Sequence, residues 1–237
     1  MKADEIHVWS GRIAAGEDCF HELYKSLSRD ETEKAARLRF DKHKRSYVIC
    51  RGLLRSILAG YLGLRPAEIL IQYGAQGKPF LQNQAVRFSV SHSEDRVLFA
   101  FCRNCELGID LEYMRDLPDA EQLARRFFAP SEYIEFCGTS PAIRTEAFFC
   151  RWTRKEAYIK AMGQGLSLPL DSFQVPGVPG QLANLRITTE AGVPVSGWSL
   201  RHLDPAPGFI GALAAPLVSF PLVQWTFEKA EACLDRL

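Results

Sequence analysis

The stretch FSVSHSEDRVLFAFCRNCELGIDLE, Phe88–Glu112, decides how the chain is organised. Two runs of β-forming residues, RFSVSH and RVLFAFC, flank the polar turn SEDR, which is the pattern of a hairpin. A third run, LGIDLE, begins after a break around Arg103 and Asn104 and reads as the next strand. On that strand Asp110 and Glu112 are two residues apart, and residues i and i+2 of a strand project from one face. Two carboxylates held side by side repel each other unless a cation or a basic group stands between them. The plainer alternative is a solvated strand edge.

Upstream of this stretch, Glu5 to Trp9 reads as a first strand, and the pattern from Asp18 to about Tyr61 is helical. Asp30 is expected to open one helix there. Tyr47, Leu54, Leu58 and Tyr61 recur at helical spacing, with Gly60 and Gly63 marking the end. Ile69 to Tyr73 reads as a short strand, and GAQGKPFL as a Gly/Pro turn. Downstream, Leu123 to Phe128 and Ser131 to Phe136 are helical with Pro130 between them. Thr145 to Met162 is the longest helical pattern after the midpoint. The remainder carries β-forming runs ending in WSLRHL, FIGALAA and VQWTF. Phe88-Ser-Val-Ser-His92 is echoed by Trp198-Ser-Leu-Arg-His202, each followed by an apolar strand. The echo fits two similar halves dividing near Asn104.

The 237 residues suit one domain or two intimately packed halves. With 47% hydrophobic and 24% charged residues, a packed core is expected. A net charge of +1 argues against a general nucleic-acid binder. No apolar run is long enough to span a bilayer, and MKADEIHVWSGRIAAG lacks the apolar stretch of a signal peptide. Seven cysteines at irregular spacing read as reduced, mostly buried thiols, and the expectation is a cytoplasmic protein. Cys102 and Cys105 form a CxxC with no second Cys or His pair at zinc spacing, so a metal or redox role is the minor reading.

A second acidic element lies in RWTRKEAYIK, Arg151–Lys160, where Glu156 and Lys160 share a helical face with Trp152 one turn earlier. An ordinary surface i,i+4 ion pair would explain the two charges. The functional reading makes Glu156 a third oxygen ligand beside Asp110 and Glu112, a donor set suited to Mg²⁺ or Mn²⁺ and to a phosphate-bearing ligand. Phosphate-binding candidates are Lys78 in the turn Gly77-Lys78-Pro79, Ser91 and His92 at a strand end, and Lys34, Arg37, Arg45 and Arg51 in the first helical region. Neither GxxxxGK[ST] nor GxGxxG is present, so the usual nucleotide cradles are absent.

GKPF, FSVSHS, GIDLE and WTRKEAYIKAMGQGLSLPLDSF, in that order and spacing, resemble the Sfp-type 4′-phosphopantetheinyl transferases from about Lys34 to Val175. The resemblance implies an α+β fold of two similar α/β halves related by a pseudo-two-fold axis. Residues 1–104 would form the coenzyme A 3′-phosphate and adenosine side, and residues 105–237 would carry the metal and catalytic residues. It implies transfer of phosphopantetheine from coenzyme A to a serine of an acyl or peptidyl carrier protein of fatty acid, polyketide or nonribosomal peptide synthesis, by a monomeric, Mg²⁺-dependent enzyme.

Carried over residue by residue, Asp110, Glu112 and Glu156 match the metal carboxylates, and Glu156 also matches the base for the carrier serine. Lys160 matches the lysine that reaches the pyrophosphate, and Lys78 the lysine near the adenosine end. Ser91 and His92 match the pair that contacts coenzyme A phosphates. Lys34, Arg37 and Arg51 fall where basic residues hold the 3′-phosphate, with the choice among Lys44, Arg45 and Arg51 left open. Arg115, Arg125, Arg126, Phe127 and Phe128 are candidates for a basic, partly apolar docking surface for an acidic carrier. The rival readings are a non-catalytic binding module for coenzyme A and its carrier, and a phosphohydrolase using the same carboxylates.

Overall fold

The computed structural model describes residues 1–2, 5–163, 165–178, 188–189, 197–217 and 219–237. Strand β1 (Ile6–Arg12) is followed by helices α1 (Glu17–Lys25), α2 (Arg29–Arg37) and α3 (Asp41–Leu62), then a small hairpin, β2 (Ile71–Tyr73) and β3 (Pro79–Leu81). The large hairpin β4 (Arg87–Ser93) and β5 (Arg96–Cys102) comes next. The chain then runs through β6 (Gly108–Tyr113), α4 (Ala120–Phe127), α5 (Pro130–Cys137), α6 (Arg144–Met162), β7 (Phe173–Gln174), β8 (Thr188–Thr189), β9 (Ser199–Leu203), β10 (Phe209–Ala215), β11 (Leu222–Phe227) and α7 (Ala230–Leu234).

Local chemistry sets the boundaries. Helix α2 starts at Arg29 rather than at Asp30, because Ser28 takes the position before it and its N–H donates to the Glu31 carboxylate at 3.0 Å. Gly63, with φ of 66°, ends α3 in the left-handed conformation that glycine adopts at low cost, whereas Gly60 lies inside the helix. Pro130 is the first residue of α5 rather than a break between helices, since its missing N–H has no partner to lose there.

Two antiparallel units share one connectivity. In the first, the strand order is β1-β5-β4; in the second it is β6-β10-β9. Each unit runs as a strand, a long helix (α3 or α6), a two-stranded ribbon (β2-β3 or β7-β8) and a hairpin. The FSVSH and WSLRH echo falls on β4 and β9, the strands in the equivalent place. The last strand crosses back: β11 pairs parallel with β1, and α7 packs on α3, so residues 222–237 complete the first sheet rather than the second.

The layers follow from which face each strand buries. On β5, Val97, Phe99 and Phe101 join α3, Trp9 and Phe227 in one core. Leu98, Ala100 and Cys102 face the other way, against Ile109, Leu111 and Leu213 of the second sheet. This two-sided burial explains why RVLFAFC is continuously apolar instead of alternating. Ala212 and Ala214 of β10 then meet Ala157, Tyr158 and Ala161 of α6. The order through the molecule is therefore α3, first sheet, second sheet, α6.

Candidate active site

The site lies where the edge strands β4 and β6 meet. An edge strand leaves backbone N–H groups without ladder partners, and burying them unpaired is costly. Here Ser89, Ser91 and Ser93, alternate residues on one face of β4, accept the N–H groups of Ile109, Leu111 and Tyr113 at 3.1, 3.2 and 3.0 Å. The serines thus stitch the two sheets together. Because Ile109 and Leu111 point into the sheet–sheet core, Asp110 and Glu112 face outward toward α6.

Helix α6 comes unusually near this strand, and Gly108 permits it. A Cβ at Gly108 would collide with the carbonyl oxygen of Ala157 and the amide nitrogen of Ala161. The close approach delivers Lys160, whose ammonium donates to Asp110 Oδ1 at 2.6 Å and to Ser91 Oγ at 2.9 Å. Ser91 in turn donates to Asp110 Oδ1 at 2.9 Å. Lys160 therefore reaches across to β6 and is engaged there, one helical turn from Glu156.

Asp110 is 5% exposed, and its Oδ2 is buried with no hydrogen-bond partner. Glu112 accepts from Ser93 Oγ at 3.3 Å and lies 3.7 Å from Arg115. Burial pushes the Glu112 pKa up, and the neighbouring Asp110 charge adds to it. Burial likewise raises the Glu156 pKa, reinforced by Asp110 and more weakly by Glu112, while Lys160 opposes the rise. The three carboxyl groups thus feel one another from two elements.

Among the described residues no three His, Cys, Asp or Glu side chains stand as a ready-made metal cage. In the structure the Lys160 ammonium is bonded to Asp110 where a cation would stand. The donor chemistry still fits a hard divalent cation. It is all oxygen, it carries excess negative charge, and it includes an orphaned buried carboxylate oxygen.

Two cavities open beside this centre. A cleft of about 250 Å³ is lined by Gly77, Lys78, Ser89, Glu156, Lys160 and Gly165, among others. It shares Pro79 and Val90 with a larger cavity of about 580 Å³, into which Lys34, Lys42, His43, Tyr47, Arg51 and His92 project. In the larger cavity Arg51 Nη1 and Tyr47 Oη are buried donors without partners. Arg51 is otherwise held by Glu31 at 3.5 Å and by the Tyr47 and Tyr73 rings. Lys34 stands 5.4 Å over the Tyr47 ring. His92, on the opposite face of β4 from Ser91, has its pKa lowered by burial and by the Lys160 charge.

Not every basic candidate reaches the cavity. Arg37 is exposed, 3.6 Å from Glu33, and does not line it. Arg45 turns toward Glu17 at 3.0 Å and the Ala15 carbonyl at 2.8 Å. Lys78 reaches Glu106 at 3.0 Å and the carbonyls of Leu107 and Ala161 at 3.3 and 3.2 Å, which ties the GKP turn to both β6 and α6. Of the docking candidates, Phe128 is core, 2% exposed among Phe136 and Phe148, while Phe127 is half-buried with the Arg126 guanidinium 4.9 Å over its ring.

Sequence reasoning overlooked Lys42, His43 and Tyr47 as site residues, although the four-residue spacing of His43, Tyr47 and Arg51 marks one face of α3. It also overlooked Lys155. That side chain is fully buried, bonded to Glu132 at 2.7 Å and to the carbonyls of Leu170 and Phe173 at 2.7 and 2.5 Å. Glu132 also accepts the N–H of Ala129 at 2.8 Å and of Val175 at 2.6 Å. The pair fixes the segment after α6 against the helix that carries Glu156. Nothing in KEAYIK distinguishes the buried lysine from the one in the cleft until the helix is placed.

The profile of the 4′-phosphopantetheinyl transferase superfamily matches residues 106–213, and that of the 4′-phosphopantetheinyl transferase N-terminal domain matches residues 14–104. The chain is 37% identical over 218 residues to the 4′-phosphopantetheinyl transferase HetI of Nostoc sp. strain PCC 7120, covering 90% of this chain and 89% of that protein. It is 34% identical over 164 residues to a 4′-phosphopantetheinyl transferase of Bacillus subtilis, covering 69% and 71% of the two chains. With the 4′-phosphopantetheinyl transferase Sfp of Bacillus subtilis strain 168 it shares 32% over 150 residues, 63% and 66% of the two chains. The chain belongs to the 4′-phosphopantetheinyl transferase superfamily.

Proposed function

We propose that this protein transfers the phosphopantetheine group of coenzyme A to a serine of an apo acyl or peptidyl carrier protein, leaving adenosine 3′,5′-bisphosphate. The observation that carries the reading is that Glu156 and Lys160 line a cleft adjoining a basic cavity, with Lys160 bonded to Asp110 and Glu156 feeling the charges of Asp110 and Glu112. Arg51 and Tyr47, with unpartnered donors, and Lys34 beside them, suit the 3′-phosphate and nucleotide end of coenzyme A. His92 lines the basic cavity and would face the phosphates, while Ser91, on the other face of β4, would act by holding Asp110 and Lys160. Lys78 holds the turn over which the ligand would pass.

Asp110 and Glu112, with Glu156 from α6, are the residues that would hold Mg²⁺, or Mn²⁺ in its place. When bound, the ion supplies positive charge that offsets the diphosphate and the developing leaving group. Lys160 keeps a fixed ammonium at the same place, a contribution that grows where a bound ligand displaces water. Glu156 has its proton affinity raised by burial and by its acidic neighbours, which suits a base that takes the proton of the carrier serine. The serine oxygen forms a bond to the β-phosphorus as the bond to the adenosine bisphosphate oxygen breaks. Exposed Arg125 and Arg126, Arg115 beside Glu112, and Phe127 form the basic rim offered to an acidic carrier.

A pseudo-two-fold relation of the two units, with a division near residue 104, is supported by the repeated strand order and by the matched segments meeting there. Localisation in the cytoplasm is the natural setting for such carriers. No helix of the described residues is long and apolar enough to cross a membrane.

Incubation with coenzyme A, Mg²⁺ and an apo carrier, followed by mass spectrometry of the carrier, tests the proposal. Gain of one phosphopantetheine is expected, and Asp110→Ala should abolish it while the circular dichroism spectrum stays unchanged. Binding without mass gain would favour a binding module. Breakdown of coenzyme A without carrier would favour a hydrolase.

A further inference from the structure

The connection between the two sheets, Arg103–Leu107, holds a pair of thiols that no step above uses. Cys102 ends β5 and is fully buried, and Cys105 is 9% exposed. Their sulfurs are 2.7 Å apart, closer than two unrelated thiols pack. Arg103 and Asn104, which separate them in the chain, are both exposed. The hydrogen bond from Cys105, helped by the loop's backbone N–H groups and opposed by burial, holds the Cys102 thiol down at about 6, and the thiolate is the reactive form. The hydrogen bond to Cys102 and burial push Cys105 the other way, so the two sulfurs titrate as a pair.

We propose that Cys102 and Cys105 are a redox-active dithiol that closes to a disulfide on exposure to a peroxide. The Cys102 thiolate attacks one oxygen of hydrogen peroxide. An S–O bond forms, the O–O bond breaks, and the departing hydroxide takes up a proton to become water. The sulfur, now a sulfenic acid, is attacked by Cys105. An S–S bond forms, the S–O bond breaks, and hydroxide leaves with the Cys105 proton as a second water. Two thiols and one peroxide thus give one disulfide and two waters. The sulfurs need to approach by only about 0.7 Å to reach the disulfide length. A small oxidant suits a pair this buried, and closure fixes the connection that leads directly to Glu106 and Leu107, the partners of Lys78.

The test is peroxide titration of the full chain at neutral pH, with quenching, alkylation under denaturing conditions and tryptic mapping. Arg103 lies between the two cysteines, so trypsin separates residues 97–103 from 104–115 unless the disulfide joins them. The joined peptides are expected at least as early as oxidation of the exposed Cys137, and dithiothreitol should release them. Cys105→Ser should keep the untreated protein's transferase activity and trap Cys102 as a sulfenic acid reactive with dimedone. Full alkylation of both Cys102 and Cys105 at peroxide doses that oxidise Cys137, or a disulfide that maps to other cysteines, would overturn the proposal.

Discussion

Replacing Gly108 with alanine adds one methyl group between β6 and α6. The new Cβ would lie roughly 1 Å or more inside ordinary contact distance of the Ala157 carbonyl oxygen and the Ala161 amide nitrogen, both backbone atoms that cannot rotate away. The helix must therefore shift outward by about that amount. Lys160, one residue before Ala161, moves with it, and its 2.6 Å contact with Asp110 opens beyond hydrogen-bond range. Glu156, next to Ala157, is displaced from the two carboxylates of β6. A misplacement of about 1 Å at a reacting centre costs on the order of 10²-fold in rate. The accompanying strain costs about 1–3 kcal/mol of stability, leaving the protein folded at room temperature. Carrier phosphopantetheinylation followed by mass spectrometry, alongside urea unfolding, measures both. Transfer within threefold of wild type, in a Gly108→Ala protein of unchanged stability, would refute the idea that this contact sets the position of Glu156 and Lys160.

Glu156→Gln should lower transfer strongly while coenzyme A still binds, and without divalent cations it should stabilise the protein at neutral pH. Burial raises the folded-state pKa of Glu156, so wild-type stability falls as pH rises from the ordinary carboxylate range through that raised value. The gap between variant and wild type should vanish at acid pH, and thermal unfolding across pH would expose a gap that does not change. Lys155→Met leaves Glu132 buried without its ammonium partner and should cost about 3–5 kcal/mol in urea unfolding. A loss below 1 kcal/mol would mean the pair holds little. Arg51→Ala should raise KM for coenzyme A by about tenfold or more with little change in kcat, the scale of one charge-assisted hydrogen bond. Arg37→Ala should leave KM within twofold, because that side chain lies outside the cavity. Equal effects of the two substitutions in steady-state kinetics would contradict the placement.

Much of the secondary structure was legible because its signals are local. SEDR between two β-runs gives the β4-β5 hairpin, and Gly63 ends α3 where the left-handed conformation is needed. The sequence places the start of α2 at Asp30, whereas the helix begins at Arg29 after Ser28, whose N–H bonds to Glu31. Pro130 was read as a break because a proline's missing N–H interrupts a helix everywhere except in its first turn. The basic residues were the least legible group. Lys34, Arg37, Arg45 and Arg51 are alike as charges, and whether each reaches the cavity depends on partners far along the chain, such as Glu17 for Arg45.

By itself, the sequence determined which side chains share a face. The two-residue spacing puts Asp110 and Glu112 on one side of a strand, the four-residue spacing puts Glu156 and Lys160 one helical turn apart, and both follow from backbone geometry alone. The tertiary structure decided that those two faces meet. That outcome needed a glycine thin enough to admit α6, three serines to cap an edge strand, and a lysine long enough to cross between them. Each depends on a neighbour separated by tens of residues, and no periodicity within a single segment carries that information.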